Sequence, residues 1–301
     1  MMISYKHMEY FIEVSATKQI LKASENLNVS QSTITMAMKT IEDKINSKLL
    51  IRNSKGIELT YEGFLFLAHA KRIVFSMNEM LNISEENNIS TKGEINIALS
   101  FTISGYFFAN YYAEFIKSFP NIKINIKEAS RSDIEKGLLN GTFDIGLFNV
   151  ALLENKLTLK YETILKSSRK LWVCSNHKFL KQQSISLKEI SKENYLMITV
   201  DEASKISKDY WDNNNLIPNV IYETNSIEAI RSMVANGSGV AILADLVYRP
   251  WSLESRKVEK LNVIEEIPSI DVGIVWAKNN KTNNDVLNIF RKFMKLATNA
   301  I

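Results

Sequence analysis

The spacing of apolar residues changes character once along this 301-residue chain, and that change limits what it can fold into. Before about residue 90, apolar residues recur at intervals of three and four, the signature of helices that bury one face. From Gly93 onward, short apolar runs alternate with helical stretches, the pattern of an α/β domain with a parallel sheet. A chain of this length suits two or three domains. With only 10 Gly and 4 Pro, long disordered linkers are not expected.

The N-terminal part reads as three short helices and a hairpin. Met8, Phe11, Ile12 and Val14 mark a helix from Tyr5 to about Ala16. A second fits Ile20 to Leu27. Asn28 and Val29 make a turn, Ser30 is a good N-cap, and a third helix follows to about Ile45. Its apolar stripe is Ile34, Met38, Ile41 and Ile45, which leaves Ser32, Met36 and Lys39 on the other face. Two helices joined by a short turn make a helix-turn-helix. Leu49 to Leu59 then reads as two strands around Ser54, Lys55 and Gly56, a wing.

Thr60 can cap a long helix to about Asn88. Leu67, Ala70, Val74, Met77 and Leu81 repeat at three and four, a coiled-coil seam of about two heptads. Phe66, Ile73 and Met80 widen it. Such a helix, roughly 40 Å long at about 1.5 Å per residue, is too apolar to stand alone and predicts a partner helix.

Beyond Gly93, strands are expected at 94–100, 122–127, 143–148, 170–174, 195–200, 220–223, 240–243 and 272–276. Helices are expected at 106–117, 132–139, 227–235 and 285–296.

The stretch from Ala23 to Thr35, followed by Ile41-Glu42, Leu49-Leu50, Arg52, Leu59-Thr60 and Gly63, resembles the winged helix-turn-helix of LysR-type transcriptional regulators. Phe119-Pro120 with Ile122, Gly141 with Asp144-Ile145, and Asn236 to Ala241 are similar to segments of that family's sensor domain. The resemblance covers nearly the whole chain in the right order. It implies a winged DNA-binding domain at 1–59, a dimerisation linker helix at 60–92 and an effector-binding domain at 93–301. The last would be a periplasmic-binding-protein-like α/β fold, with lobe one at 93–163 and 268–301 and lobe two at 164–267. The chain would cross between lobes near 162–166 and 264–269. Three departures stand out: Ser32 where the family usually has Pro, Met36 where it has a basic residue, and Asn46 where it has Gly.

The resemblance implies double-stranded promoter DNA, a small-molecule effector and a second copy of the chain as partners. A dimer of dimers and contact with RNA polymerase are further expectations. The third helix should enter the major groove by its N-terminal end. Gln31 suits a bidentate pair with adenine, Ser30, Ser32, Thr33 and Thr35 suit bases or phosphates, and Met36 either removes a phosphate contact, for weaker and less salt-dependent affinity, or touches a thymine methyl. Lys39, Arg52 and Lys55 suit phosphates. Net charge to Leu59 is only eight cations minus six anions, +2, so placement matters more than number.

In open α/β sheets, ligands sit beyond the carboxyl ends of strands, near helix N-termini. That rule selects Ser100, Phe101 and Thr102 after the first strand, Ser130 after the second and Asn149 after the third. In lobe two it selects Thr199, Asp201, Asn225 and Ser226. Hydroxyls and backbone N–H groups after Ser100 suit a carboxylate. Plain helix capping is the alternative for each. Arg131, Arg169 and Lys205 also suit anions, but such residues are more often solvated.

Cofactor and metal are not expected. His7, His69 and His177 are scattered, and neither HExxH, CxxC, a P-loop nor GxGxxG occurs. The one cysteine, Cys174, lies in an apolar run and reads as a buried thiol. No membrane-length apolar run or signal segment occurs, so a cytoplasmic, non-enzymatic protein is expected. The alternative function is a ligand-binding module whose helix-turn-helix meets protein instead of DNA, for which Met36 speaks.

Overall fold

The Ser4 hydroxyl accepts from His7 N at 3.4 Å while the His7 ring accepts from Ser4 N at 3.3 Å, which starts the first helix, α1 (Tyr5–Thr17). The computed structural model describes residues 3–53, 56–81, 92–279 and 284–299. The chain divides into two units, residues 1–88 with 292–301, and residues 89–291.

In the first unit, α2 (Ile20–Asn26) turns through Asn28, left-handed at φ 52°, into α3 (Gln31–Ile45). Ser30 caps α3 by accepting from Thr33 N at 3.1 Å. Ile34, Met38 and Ile41 are buried with Phe11, Val14 and Ala23 in one core. Ile45 departs from expectation: it is 38% exposed. The helix ends there, because Asn46 takes a left-handed C-cap (φ 54°) that Gly or Asn tolerates best. That geometry accounts for Asn standing where Gly is usual.

The hairpin of β1 (Leu50–Asn53) and β2 (Gly56–Leu59) follows, antiparallel. Glu42 anchors it: its carboxylate accepts from Leu49 N at 2.9 Å and Leu50 N at 3.2 Å. Thr60 then caps α4 (Tyr61–Leu81), accepting from Gly63 N at 2.9 Å. A Cβ on Gly63 would lie 2.2 Å from the Leu49 carbonyl oxygen, so only Gly lets the helix start against the wing. Residues 82–88 of the expected long helix lie outside the described residues, as does Lys55.

The expected seam of α4 divides. Ala70 and Val74 are buried within this single chain, and Leu67 packs on the N-terminal core. Met77 is exposed, together with Leu65 and Ile73. The side chains of Met80 and Leu81 lie outside the described residues.

The second unit has two lobes. Lobe one contains β3 (Gly93–Leu99), a helical stretch made of α5 (Phe101–Ile103), a π-helical turn (Ser104–Phe108) and α6 (Ala109–Ser118), then β4 (Ile122–Glu128), α7 (Arg131–Asn140), β5 (Ile145–Asn149) and β6 (Leu159–Ser167). Lobe two holds β7 (Arg169–Cys174), β8 (Ser184–Ile185), α8 (Leu187–Ile190), β9 (Asn194–Ile198), α9 (Ala203–Asn213), β10 (Asn219–Thr224), α10 (Ile227–Ala235), β11 (Ala241–Ala244) and β12 (Val258–Val263). The chain returns to lobe one with β13 (Ile270–Ala277) and ends in α11 (Asn284–Asn299).

The lobe-one sheet runs β4-β3-β5-β13-β6. Its first three strands are parallel, whereas β13 is antiparallel to β5 and β6, so the sheet is mixed and not purely parallel as expected. A strand that returns from another lobe has no crossover helix to impose parallel pairing. In lobe two, β11-β7-β12-β8 is joined to β9-β10 by Leu196 N to Val240 O at 2.9 Å and Val240 N to Asn194 O at 2.8 Å. Period-two alternation sends Leu171, Val173, Tyr195 and Met197 into one core and Trp172, Leu196 and Ile198 into the other. The sheet is thus buried on both faces. The first crossing comes at Ser168, after β6, slightly later than expected, and the second in the stretch between Val263 and Ile270.

Candidate functional site

On α3, burial and exposure divide cleanly. Ile34, Ala37, Met38 and Ile41 face the core, while Gln31, Ser32, Thr33, Thr35, Met36 and Lys39 are exposed, with Met36 at 64%. At the N-terminal end the Ser30 hydroxyl lies 2.7 Å from those of both Ser32 and Thr33. This hydroxyl cluster sits beside the amide end of the helix, which favours negative charge such as phosphate. Arg52 is exposed on β1. Lys48, by contrast, pairs with Glu42 at 3.0 Å.

In the second unit a cleft of about 480 Å³, including its open mouth, lies between the lobes. Four of the strand-end residues meet at its wall: Ser100, Thr102, Asn149 and Asp201. Five do not. Phe101 is half-exposed beside it, Ser130 and Ser226 cap α7 and α10, and Thr199 and Asn225 lie outside the lining. Capping has claimed Ser130 and Ser226, each accepting an N–H from the first turn at 3.2 Å.

Long-range contacts decide the chemistry of this cleft. The Asp201 carboxylate of lobe two accepts from Phe101 N at 3.2 Å and Thr102 N at 2.6 Å, at the start of α5 in lobe one. The amides expected to take an effector carboxylate are therefore occupied from within. Asp201 (φ 49°) and Glu202 (φ 58°) are both left-handed, a conformation costing a non-glycine residue roughly 1–2 kcal/mol. Glu202 in turn accepts from Arg131 Nε at 3.1 Å, at the start of α7. A second link joins Tyr106, in the π-helical turn, to Glu228 on α10 at 2.7 Å. Burial, reinforced by Glu228, pushes the Tyr106 hydroxyl up to about 12, so it stays a donor.

The arginines differ sharply. Arg131 is satisfied three times over, by Glu135 at 2.6 Å, Glu154 at 2.8 Å and Glu202. Arg231 is held by Glu228 and by the carbonyls of Arg249 and Val247. Arg169, only 8% exposed and on the cleft wall, makes one side-chain hydrogen bond among the described residues, from Nε to Pro268 O at 2.8 Å. The strand pattern carried the signal: Arg169 shares the parity of Leu171 and Val173, which places it on a buried face.

The family described as "LysR substrate binding domain" matches residues 89–296, and "Bacterial regulatory helix-turn-helix protein, lysR family" matches residues 5–64. The chain belongs to the LysR family. It is a LysR-type DNA-binding transcriptional regulator with an effector-binding domain. The uncharacterized HTH-type transcriptional regulator YwbI of Bacillus subtilis is 27% identical, covering 91% of this chain and 90% of its own. Among solved structures, HinK, a LysR family transcriptional regulator from Pseudomonas aeruginosa, is similar with TM-score 0.61 and 22% identity, covering 99% of this chain and 98% of its own. Full-length CbnR complexed with its target DNA is similar with TM-score 0.55 and 18% identity, covering 98% and 99%. At those identities the structures speak for the fold alone. In this LysR regulator, no group of three His, Cys, Asp or Glu able to hold a metal occurs among the described residues. No described helix is long and apolar enough to cross a membrane. Cys174 is buried, its Sγ 3.1 Å from Asn176 Oδ1.

Proposed function

We propose that residues 1–59 read a specific promoter sequence, that 60–92 pair two copies of the chain, and that 93–301 bind a small-molecule effector in the cleft between lobes 93–163/268–301 and 164–267. The observation that carries this reading is the face of α3 that its apolar stripe leaves uncovered, where Gln31, the Ser30/Ser32/Thr33 hydroxyls, Thr35, Met36 and Lys39 stand side by side. Gln31 reads adenine, the hydroxyls and Met36 contact bases and backbone, and Lys39, Arg52 and Lys55 meet phosphates. Two copies place two such helices on an inverted repeat. Dimers of dimers and contact with RNA polymerase extend the same scheme, and the protein works in the cytoplasm, by binding and not by catalysis.

Regulation follows from the cleft. An effector acts by binding one lobe arrangement more tightly than the other, which shifts how the two DNA-binding heads are presented. The polar wall of Ser100, Thr102 and Asn149 faces apolar residues of lobe two, the usual make-up of a small-molecule pocket. Mobility shifts on the duplex upstream of its own gene, set against random duplex over a range of salt, test the reading. Preference for the upstream duplex is expected; equal, feeble affinity for both at low salt overturns it.

A further inference from the structure

Two facts about the cleft point to the chemistry of what fills it. First, the amide pair of Phe101 and Thr102, the obvious anion site, already holds the Asp201 carboxylate. Second, Arg169 is a buried cation on the cleft wall with no carboxylate within 4.0 Å among the described residues, and its two Nη nitrogens make no hydrogen bond among them. Burying a guanidinium is costly unless an anion answers it. The other buried arginine of the described residues, Arg231, has such an answer in Glu228. Burial lowers the Arg169 pKa, the direction expected when no anion offsets desolvation.

We propose that the effector is a small organic monocarboxylate whose charged end is taken by the two Nη nitrogens of Arg169 and whose short apolar body lies on lobe two. The inference rests on the cleft being the effector site. The Nε bond to Pro268 O holds the guanidinium and leaves both Nη nitrogens for a bidentate carboxylate. One unanswered cation calls for one negative charge; a dianion would bury a second charge with nothing to meet it. Ile198, Val200, Ile206, Ile227 and Leu243 supply the apolar wall. The buried hydroxyls of Ser100 and Thr102, which make no hydrogen bond among the described residues, offer a polar group on the ligand two further partners. Arg169 opens β7 directly after the first interlobe crossing and bonds to the second, so charge placed there bears on both connections between lobes.

The test uses the full-length protein and calorimetric titration with butanoate, hexanoate and benzoate, each against its neutral amide. Every carboxylate that binds is expected to do so at least about tenfold more tightly than its amide, the discrimination of a charge-assisted pair in a buried site. Arg169→Gln should bring each pair to within about twofold, and Arg169→Lys should restore part of the preference. Ala203→Phe, which fills the cleft, should weaken acid and amide alike. Amides binding as well as acids, with both lost in Ala203→Phe, overturns the Arg169 assignment and leaves the cleft reading intact. Acids binding undiminished in Ala203→Phe overturns the cleft reading itself. If no carboxylate binds up to millimolar concentration, the proposed class is wrong. The wild-type comparison of acid with amide needs no variant to fold.

Discussion

The uncovered face of α3 and the cleft of the second unit are both polar surfaces, but their polar groups are committed differently. At the N-terminal end of α3 the exposed hydroxyls interact with near neighbours, as Ser30 does with Ser32 and Thr33. Around the cleft, polar groups are engaged across long stretches of chain: Asp201 with Phe101 and Thr102, Glu202 with Arg131, Glu228 with Tyr106. A surface that must meet many phosphates and base edges keeps its groups open. A cleft that must hold two lobes in a defined relation uses them internally, and the few left over, Arg169, Ser100 and Thr102, are those we propose for a ligand. Substitutions of Gln31 and Met36 should therefore change binding without changing stability, and those that break the interlobe network should cost stability.

The largest effect is expected where the internal network is deepest. Glu135, 1% exposed, accepts from Arg131, from Glu154 N at 3.2 Å and from Asn155 N and Nδ2 at 3.0 and 2.7 Å. Glu135→Ala leaves the Arg131 guanidinium short of its nearest carboxylate and should cost about 3–5 kcal/mol in urea unfolding. Burial works to raise the Glu135 carboxyl, but hydrogen bonds from Arg131 and Asn155 overcome it and hold it below its ordinary 4.5. Its folded pKa is depressed, so its contribution is fully present above pH 4.5 and is lost as pH falls through the lower folded value. Stability of the wild type should drop over that acidic window, and in Glu135→Gln the drop should be shallower. An unchanged acid profile in the variant would mean that other carboxylates govern it.

Gln31→Ala sits at the opposite pole. Losing a bidentate pair should cost about 1–3 kcal/mol of discrimination for the upstream duplex, read by fluorescence anisotropy against random duplex, with the urea midpoint unmoved. A loss of stability instead of specificity would blur the distinction between the two surfaces.

How far each site could be read from sequence follows from the same difference. The α3 face is the complement of Ile34, Met38 and Ile41, and a period of 3.6 exposes it within fifteen residues. Ser100, Thr102, Asn149 and Asp201 were reachable because strand ends define the cleft rim in any open α/β sheet. The grip of Asp201 on Phe101 N was not, since 100 residues separate them and only the folded lobes bring them together. Arg169 was legible in principle from its parity with Leu171 and Val173, yet a charge at the edge of a strand reads as solvated until its neighbours are known. Ala70 and Val74 fit a dimer seam by spacing, but the same spacing serves packing within one chain, and periodicity cannot tell the two apart.

A smaller effect should separate capping from strain at the latch. Asp201→Ala removes the acceptor for two amides at the start of α5 and should cost about 1–2 kcal/mol, the usual worth of a cap. Asp201→Gly loses the same carboxylate but relieves the left-handed backbone at φ 49°, so it should be less destabilised than Asp201→Ala by about 1 kcal/mol. Equal losses would mean that the backbone conformation carries little cost there.

The smallest effect tests why α3 carries Met36, 64% exposed, on the face we propose meets DNA. An apolar side chain there contributes no counterion release, so affinity should depend on salt less steeply than with a cation. Met36→Lys should steepen the slope of log affinity against log salt by about 1, one added phosphate contact. It should raise affinity for random duplex as much as for the upstream duplex, or more, because phosphates carry no sequence. If Met36 packs on a thymine methyl, the ratio of upstream to random affinity falls at the same time. An unchanged slope would place residue 36 away from the DNA backbone, and the uncovered face of α3 would then meet the duplex chiefly through Gln31 and the Ser30 cluster.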